Sequence, residues 1–217
     1  MGRLFLRASE NVGLTFCTVM LSLSQEVMDM VYAEFREIET ERLILRKLRR
    51  DDVQDYYDRL GSSEAVTRYM LWNPHTALSD SVASIEKALR RYEAGGCYRW
   101  AIARKEDDRI IGVVELLRVD EASESCSFAY MLAEPFWGGG YGTEALKAAL
   151  SFAFREMKVD MVEADHMAEN QASGAVMAKA GMRYIRTDRA KYEKNGAVFD
   201  APVYRITREM WLISKNI

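Results

Sequence analysis

Three apolar stretches, YRWAIAR (98–104), RIIGVVELLRV (109–119) and ESCSFAYML (124–132), follow one another with only short polar turns between them, around EDD at 106–108 and DEAS at 120–123. Connections this short cannot carry a parallel crossover, so the three segments form an antiparallel meander. The next apolar pattern has helical spacing. From Tyr141 to about Met157 it places Ala145, Leu146, Ala149, Leu150, Ala153 and Phe154 on one face. A helix here returns the chain across the sheet, so the following strand, DMVEADHM (160–167), lies parallel to the third strand of the meander. A mixed sheet with a parallel pair at its centre has a place where two strands can splay.

The flanking segments complete an α+β chain. RLILRKL (42–48) alternates like a strand. RRDDVQDYYDRLGS (49–62) reads as a helix with Asp51 and Asp52 as candidate caps, apolar Val53, Tyr56, Tyr57 and Leu60, and a stop at Gly61. SSEAVTRYM (62–70) reads as a second, short helix. TALSDSVASIEKALRRYEAGG (76–96) reads as a longer one, with Val82, Ile85, Leu89 and Tyr92 inward. NQASGAVMAKAGM (170–182) is a helix opened by Asn170 and closed at Gly181. RYIRTDRAKY (183–192) and APVYRITREMW (201–211) are closing strands around a turn at Asn195–Gly196. The expected fold is a mostly antiparallel mixed sheet of about six to seven strands with about four to five flanking helices.

Composition excludes several functions. The 217 residues carry a formal net charge of −3, so no basic field favours nucleic acid. Cys17, Cys97 and Cys126 are far apart and odd in number, which argues against a disulfide framework or a thiolate metal site and suits a reducing cytoplasm. His75 and His166 have no neighbour at ligand spacing and read as partly exposed loop or strand residues, so no metal is expected. No apolar run reaches the roughly 18 residues that span a bilayer. VGLTFCTVMLSL (12–23), behind Arg3 and Arg7, faintly imitates a signal peptide without a good cleavage site. Residues 1–36 are expected to be an N-terminal extension, with Met28 and Met30 as alternative starts, and 37–217 the domain.

The feature that carries chemistry is PFWGGGYGTEALKAALSFAF (135–154), with four glycines in five positions just before the helix. Glycine tolerates positive φ, and a helix start exposes unpaired N–H donors and a partial positive charge. Together they form an anion cradle suited to phosphate, the alternative being a plain hinge. A nucleotide P-loop is a poor match because no lysine follows the glycines, and the spacing is wrong for a dinucleotide fingerprint.

WGGGYGTEA (137–145), ETERLILRKLRRDD near residue 40 and NQASGAVMAKAGM near 175 together resemble the GCN5-related N-acetyltransferase (GNAT) superfamily, in the branch of ribosomal-protein N-acetyltransferases. The resemblance covers about 39–211. It implies an acetyl-CoA-dependent N-acetyltransferase, acting by direct transfer to a primary amine of a protein N-terminus or a small molecule. The alternative is a non-catalytic coenzyme A sensor on the same fold. It implies that diphosphate sits on the backbone of Gly138, Gly139, Gly140, Tyr141, Gly142 and Thr143, with Trp137 in the slot where the family has Arg or Gln. The pantetheine arm is expected in the splay, against Tyr130, Met131 and Leu132, with Asn170 and Ser173 contacting it.

Two expected proton-transfer slots hold other residues: Met177 stands where many relatives have a tyrosine acid, and Ser127 where the branch has a glutamate. Glu115 is then the best remaining carboxylate for a base, with Tyr130 and Ser173 as further proton-transfer candidates. Tyr69, Met70, Trp72 and His75 are expected to line the acceptor site, ordinary packing being the competing reading for each. A homodimer is common in this branch and is the assembly the resemblance implies.

Overall fold

The computed structural model describes residues 33–215. The expectations for the apolar stretch at 12–23, for Cys17 and for the starts at Met28 and Met30 lie outside the described residues.

Eight strands form one sheet: β1 (Ile38–Glu39), β2 (Leu43–Arg46), β3 (Arg99–Arg104), β4 (Ile110–Asp120), β5 (Ser125–Leu132), β6 (Met161–Asp165), β7 (Arg183–Lys194) and β8 (Ala197–Thr207). Their spatial order is β1-β2-β3-β4-β5-β6-β8-β7. Every neighbouring pair is antiparallel except β5 and β6. The parallel pair follows from helix α4 (Tyr141–Arg155), which carries the chain back over the sheet between β5 and β6.

The other helices are α1 (Val53–Tyr56), α2 (Glu64–Thr67), α3 (Leu78–Ala94), α5 (Gln171–Lys179) and α6 (Arg208–Lys215). Period-2 alternation sends side chains to two cores, one on each sheet face. Val114, Leu116, Cys126, Phe128, Val162 and Ala164 pack with α4 and α5. Ala101, Ala103, Val113 and Met131 pack with the residues of α1 and α3. Small Ala145, Ala149 and Ala153 alternate with Leu146 and Leu150 on α4, and all five are buried, so the helix lies close on the sheet.

β5 and β6 pair in register from Ser125–Met161 to Phe128–Ala164 and no further. Beyond that point β5 continues to Leu132 alone, which opens the sheet at its centre.

The sheet has one strand more than the upper expectation, because Ile38 and Glu39 pair with Leu45 and Ile44. Residues ahead of β1 also join the core: the Tyr98 hydroxyl donates to Ala33 O, the Trp100 indole donates to Arg36 O, and Phe35 stacks on Trp100. The stretch at 49–62 is not one regular helix. It runs as a 3-10 turn, the short α1 and a π turn over Tyr57–Gly61. Asp52 caps the first turn as expected, accepting from the Arg49 N–H at 2.7 Å, and the same carboxylate is paired with the buried Arg46.

In α3, Val82 is 40% exposed, and the inward line is Ser81, Ile85 and Ala88. The Ser81 hydroxyl meets His75 Nδ1 at 2.7 Å, which makes a polar residue suitable on that buried face. The closing segment 201–211 is a strand only as far as Thr207. The chain then turns into α6, whose first turn is fixed by Thr207 Oγ1 accepting from Met210 N. His166, expected to be partly exposed, is buried against α5.

Candidate active site

The glycine loop leads from β5 into α4 through a short 3-10 turn, Glu134–Phe136. Gly138 and Gly140 have φ of +73° and +83°, a conformation that strains any residue with a Cβ. Gly140 is the N-cap of α4, and no side chain caps the first turn. The first-turn N–H groups therefore face outward with the positive end of a 15-residue helix behind them.

Beside this helix start lies a cavity of about 340 Å³. One wall is the free end of β5, with Tyr130, Met131 and Leu132. A second is the loop, with Trp137, Gly138, Gly140, Gly142 and Thr143. A third is α5, with Asn170, Ser173 and Lys179, and α2 with the following Tyr69 and Met70 closes the far end. Lys179 is the one charged residue in this lining.

The β5 wall presents backbone as well as side chains. The Ala133 N–H is donated to Ile111 O of β4. By strand alternation, Leu132 and Tyr130 turn their own N–H and C=O groups the other way, into the opening. The Trp137 indole donates to Leu132 O at 2.7 Å, which leaves the Leu132 N–H and the Tyr130 backbone facing the cavity.

On the α5 wall, Asn170 Oδ1 accepts from the Ser173 N–H and caps the helix. The Tyr130 hydroxyl lies 2.8 Å from both Ser173 O and Ser173 Oγ, tying β5 to α5 across the gap. Burial pushes the Tyr130 phenol well above its ordinary pKa, against a smaller opposing effect of Ser173, so the hydroxyl keeps its proton.

The cavity gathers Tyr69, Met70, Tyr130, Met131, Leu132, Trp137, Gly138, Gly140, Gly142, Thr143, Asn170 and Ser173. Gly139 and Tyr141 belong to the loop but turn away from it, Tyr141 packing edge-on against Phe136. Trp72 and His75 are not part of the lining. They pack on each other, and His75 lies over Tyr56 with Nδ1 bound to Ser81. Glu115 is also elsewhere: Oε1 lies 2.5 Å from Arg91 Nη1 and Oε2 lies 3.4 Å from Arg99 Nη1, on the α3 side of the sheet. An arginine on each oxygen leaves that carboxylate committed to an ion pair. Met177 is 1% exposed and serves the core.

Three groups at or near the site carry no motif of their own. Lys179 lies inside a helical apolar pattern that does not mark it. Asp165 is the first residue of β6 beyond the last β5–β6 pair. It is held by Lys191 Nζ at 2.8 Å and by the Tyr192 hydroxyl, both brought in by the irregular β7. The same strand carries Glu163, so nothing in the sequence singles Asp165 out. Arg42, in the turn between β1 and β2, reaches the outside of the glycine loop.

The family model of the acetyltransferase (GNAT) domain matches residues 42–183. The chain belongs to the GNAT family. It is 24% identical over 174 residues to the uncharacterized N-acetyltransferase YoaA of Bacillus subtilis, covering 80% of this chain and 98% of that one. It is 26% identical over 153 residues to the ribosomal protein uS5-alanine N-acetyltransferase of Escherichia coli, covering 65% and 75%. Among solved structures, the spermidine N-acetyltransferase of Vibrio cholerae in complex with CoA and spermine superposes with a TM-score of 0.68 at 19% identity, covering 80% of this chain and 99% of that one. As a GNAT domain the protein is an acetyl-CoA-dependent N-acyltransferase.

The GNAT site suits that donor. Around Gly138 an added Cβ would meet no atom within 4 Å, so the loop backbone is open to a ligand. The uncapped start of α4 supplies N–H donors for a diphosphate, and the unpaired edge of β5 supplies a strand-like surface for an amide-bearing arm. Among the described residues no cluster of His, Cys, Asp or Glu is arranged to hold a metal ion.

Proposed function

We propose that the protein moves an acetyl group from acetyl-CoA directly to a primary amine, of a protein N-terminus or a small molecule, without an acetylated enzyme. The observation that carries this reading is the continuous cavity from the glycine loop, past the free edge of β5, to Tyr69 and Met70. A donor laid along β5 would bring its thioester to the opening, and an acceptor would enter from the α2 end. Two of the relatives, one named for acting on an alanine of a ribosomal protein and one on spermidine, support an amine acceptor without choosing between the two kinds.

Each group on the site has a part in this reading. The backbone of Gly138 to Thr143 holds the diphosphate, and Lys179 adds a cation for a phosphate of the donor. Asn170 and Ser173 border the pantetheine arm. The Leu132 N–H polarises the thioester carbonyl as negative charge develops on its oxygen. The amine nitrogen bonds to the carbonyl carbon, the C–S bond breaks, and the Tyr130 hydroxyl supplies the proton to the departing sulfur. The proton leaving the nitrogen passes to water at the open end of the cavity. Glu115 is better read as a structural ion-pair partner than as the base. Holding two reactants in line supplies much of the rate, on the order of several kcal/mol of the barrier.

A cytoplasmic setting and a homodimer belong to the same reading. The free, buried Cys97 and Cys126 are consistent with reducing surroundings, and no helix among the described residues is long and apolar enough to cross a membrane. The test is release of free thiol from acetyl-CoA in the presence of peptides with free N-terminal alanine or serine and of polyamines, with products weighed by mass spectrometry. Thiol release that depends on amine and yields acetyl-amine is expected. Acetylated enzyme formed without amine would contradict direct transfer.

A further inference from the structure

The outside of the glycine loop is held by groups that never reach the cavity. Arg42 Nη1 donates to Gly139 O at 2.9 Å. Its Nε and Nη2 each lie 2.7 Å from Glu144 Oε2, and its guanidinium stacks over the Tyr141 ring at 4.1 Å. Glu144 Oε1 accepts from the Arg42 N–H at 2.9 Å and from Thr40 Oγ1 at 2.6 Å. Thus the β1–β2 turn grips a loop and a helix start that lie about 100 residues away in sequence.

Two physical consequences follow. In a trans peptide, C=O and N–H point in opposite directions. With Gly139 O drawn outward to Arg42, the N–H of Gly140 points inward, and Gly140 lines the cavity whereas Gly139 does not. The second concerns charge. Glu144 sits in the first turn of α4, so a bare carboxylate there would oppose the diphosphate that the helix end attracts. The guanidinium cancels that charge at its source, in a salt bridge whose carboxylate side chain is only 17% exposed.

We propose that Arg42 is a positioning residue for the donor's diphosphate, setting the Gly139–Gly140 peptide and neutralising Glu144, although it lines no part of the cavity. This rests on the reading of the glycine loop as the diphosphate cradle. It also gives the paired Thr40–Arg42 and Glu144 of the sequence a shared purpose that neither segment reveals alone.

The test is titration calorimetry with coenzyme A on the full chain and on Arg42→Ala, Arg42→Lys, Glu144→Gln and the double variant Arg42→Ala/Glu144→Gln. Thermal unfolding of each is measured alongside. Arg42→Ala is expected to weaken binding by roughly tenfold, and the double variant to recover part of that loss because the unpaired carboxylate is gone. Arg42→Lys should recover charge neutralisation but not the bond to Gly139, and so fall between. In turnover, Arg42→Ala should raise KM for acetyl-CoA with kcat largely kept. Arg42→Ala binding like the parent would overturn the proposal. So would a loss in Arg42→Ala that Glu144→Gln does not relieve, since that result describes a scaffold contact only. Failure of the parent chain to bind coenzyme A would instead overturn the cradle reading on which the proposal rests.

Discussion

At Tyr130 a structural contact and the proposed proton transfer would fall on one atom. Its hydroxyl bridges to Ser173 across the opening between β5 and α5, and burial keeps it protonated. Met177, in the slot where many relatives have a tyrosine, is packed in the core, so the proposed donor comes from another direction. Tyr130→Phe keeps the ring and removes the proton. It is expected to lower kcat on the order of a hundredfold while coenzyme A affinity, followed by calorimetry, changes little. A fall in thermal stability with kcat retained would reduce Tyr130 to a strut. The sequence marked Tyr130 and Ser173 separately, through their motifs. Their contact is a tertiary fact between residues 43 apart and has no sequence signature. The surroundings of Glu115 are hidden from the sequence for the same reason. An acid interrupting an apolar strand looks exceptional until Arg91, from another element, and Arg99, from the neighbouring strand, are placed beside it.

Among the elements, α4 and the glycine loop were the most legible. Their signals are local: a run of glycines, then a 3.6-residue apolar period. Less legible was α5, where Gly174 looks like a weak point in a short helix. Its role is close approach. A Cβ there would stand 2.7 Å from His166 Nε2 and 3.0 Å from the Tyr204 hydroxyl, so glycine is what lets α5 settle on β6 and β8. Gly174→Ala is expected to push α5 outward at a cost of about 1–3 kcal/mol, read as a drop in melting temperature. Because Asn170 and Ser173 ride on the same helix, coenzyme A affinity should fall with it. A variant with unchanged stability and affinity would show that the two polar side chains move aside freely. The same reasoning explains two misread boundaries. Propensity gave no sign of the strand-to-helix change at Thr207, where a side-chain cap decides, or of the broken helix at 49–62, where Asp52 both caps the first turn and pairs with Arg46.

At the scale of the molecule, one sheet separates two cores, and the gap between β5 and β6 is the price of placing a parallel pair inside an antiparallel sheet. The α3 side is anchored by a charge cluster. Arg46, 1% exposed, makes two bonds of 2.9 Å to the Asp52 carboxylate and one of 2.8 Å to Asp108. Removing Asp52 leaves the buried guanidinium with only the half-exposed Asp108 as counter-charge, so Asp52→Asn should cost about 3 kcal/mol in urea denaturation. The Arg46 guanidinium holds the Asp108 carboxyl below its ordinary value, against a smaller upward push from burial. A depressed acid contributes stability that is present above the ordinary value of 3.8 and lost as pH falls through its folded value. Acid should therefore weaken the parent chain in that range, and Asp108→Asn should flatten that part of the profile; an unchanged profile would contradict the assignment. Fold class followed from the sequence because strand alternation, short turns and one crossover helix are local patterns. The candidate site was legible in part, through the loop. The cations and acids that surround it were not, because ion pairs join segments that sequence keeps apart.

Binding of acetyl-CoA in the cavity between the glycine loop and the free edge of β5 underlies every role proposed above. Titration calorimetry of the parent chain and of Gly140→Asp with acetyl-CoA tests it most directly. The variant sets a carboxylate at a position with φ of +83° on the cavity wall, where it is both strained and repelled by phosphate. Saturable binding by the parent, lost in a folded Gly140→Asp, is the predicted result. Equal affinity in both proteins, or no binding by the parent, would contradict it.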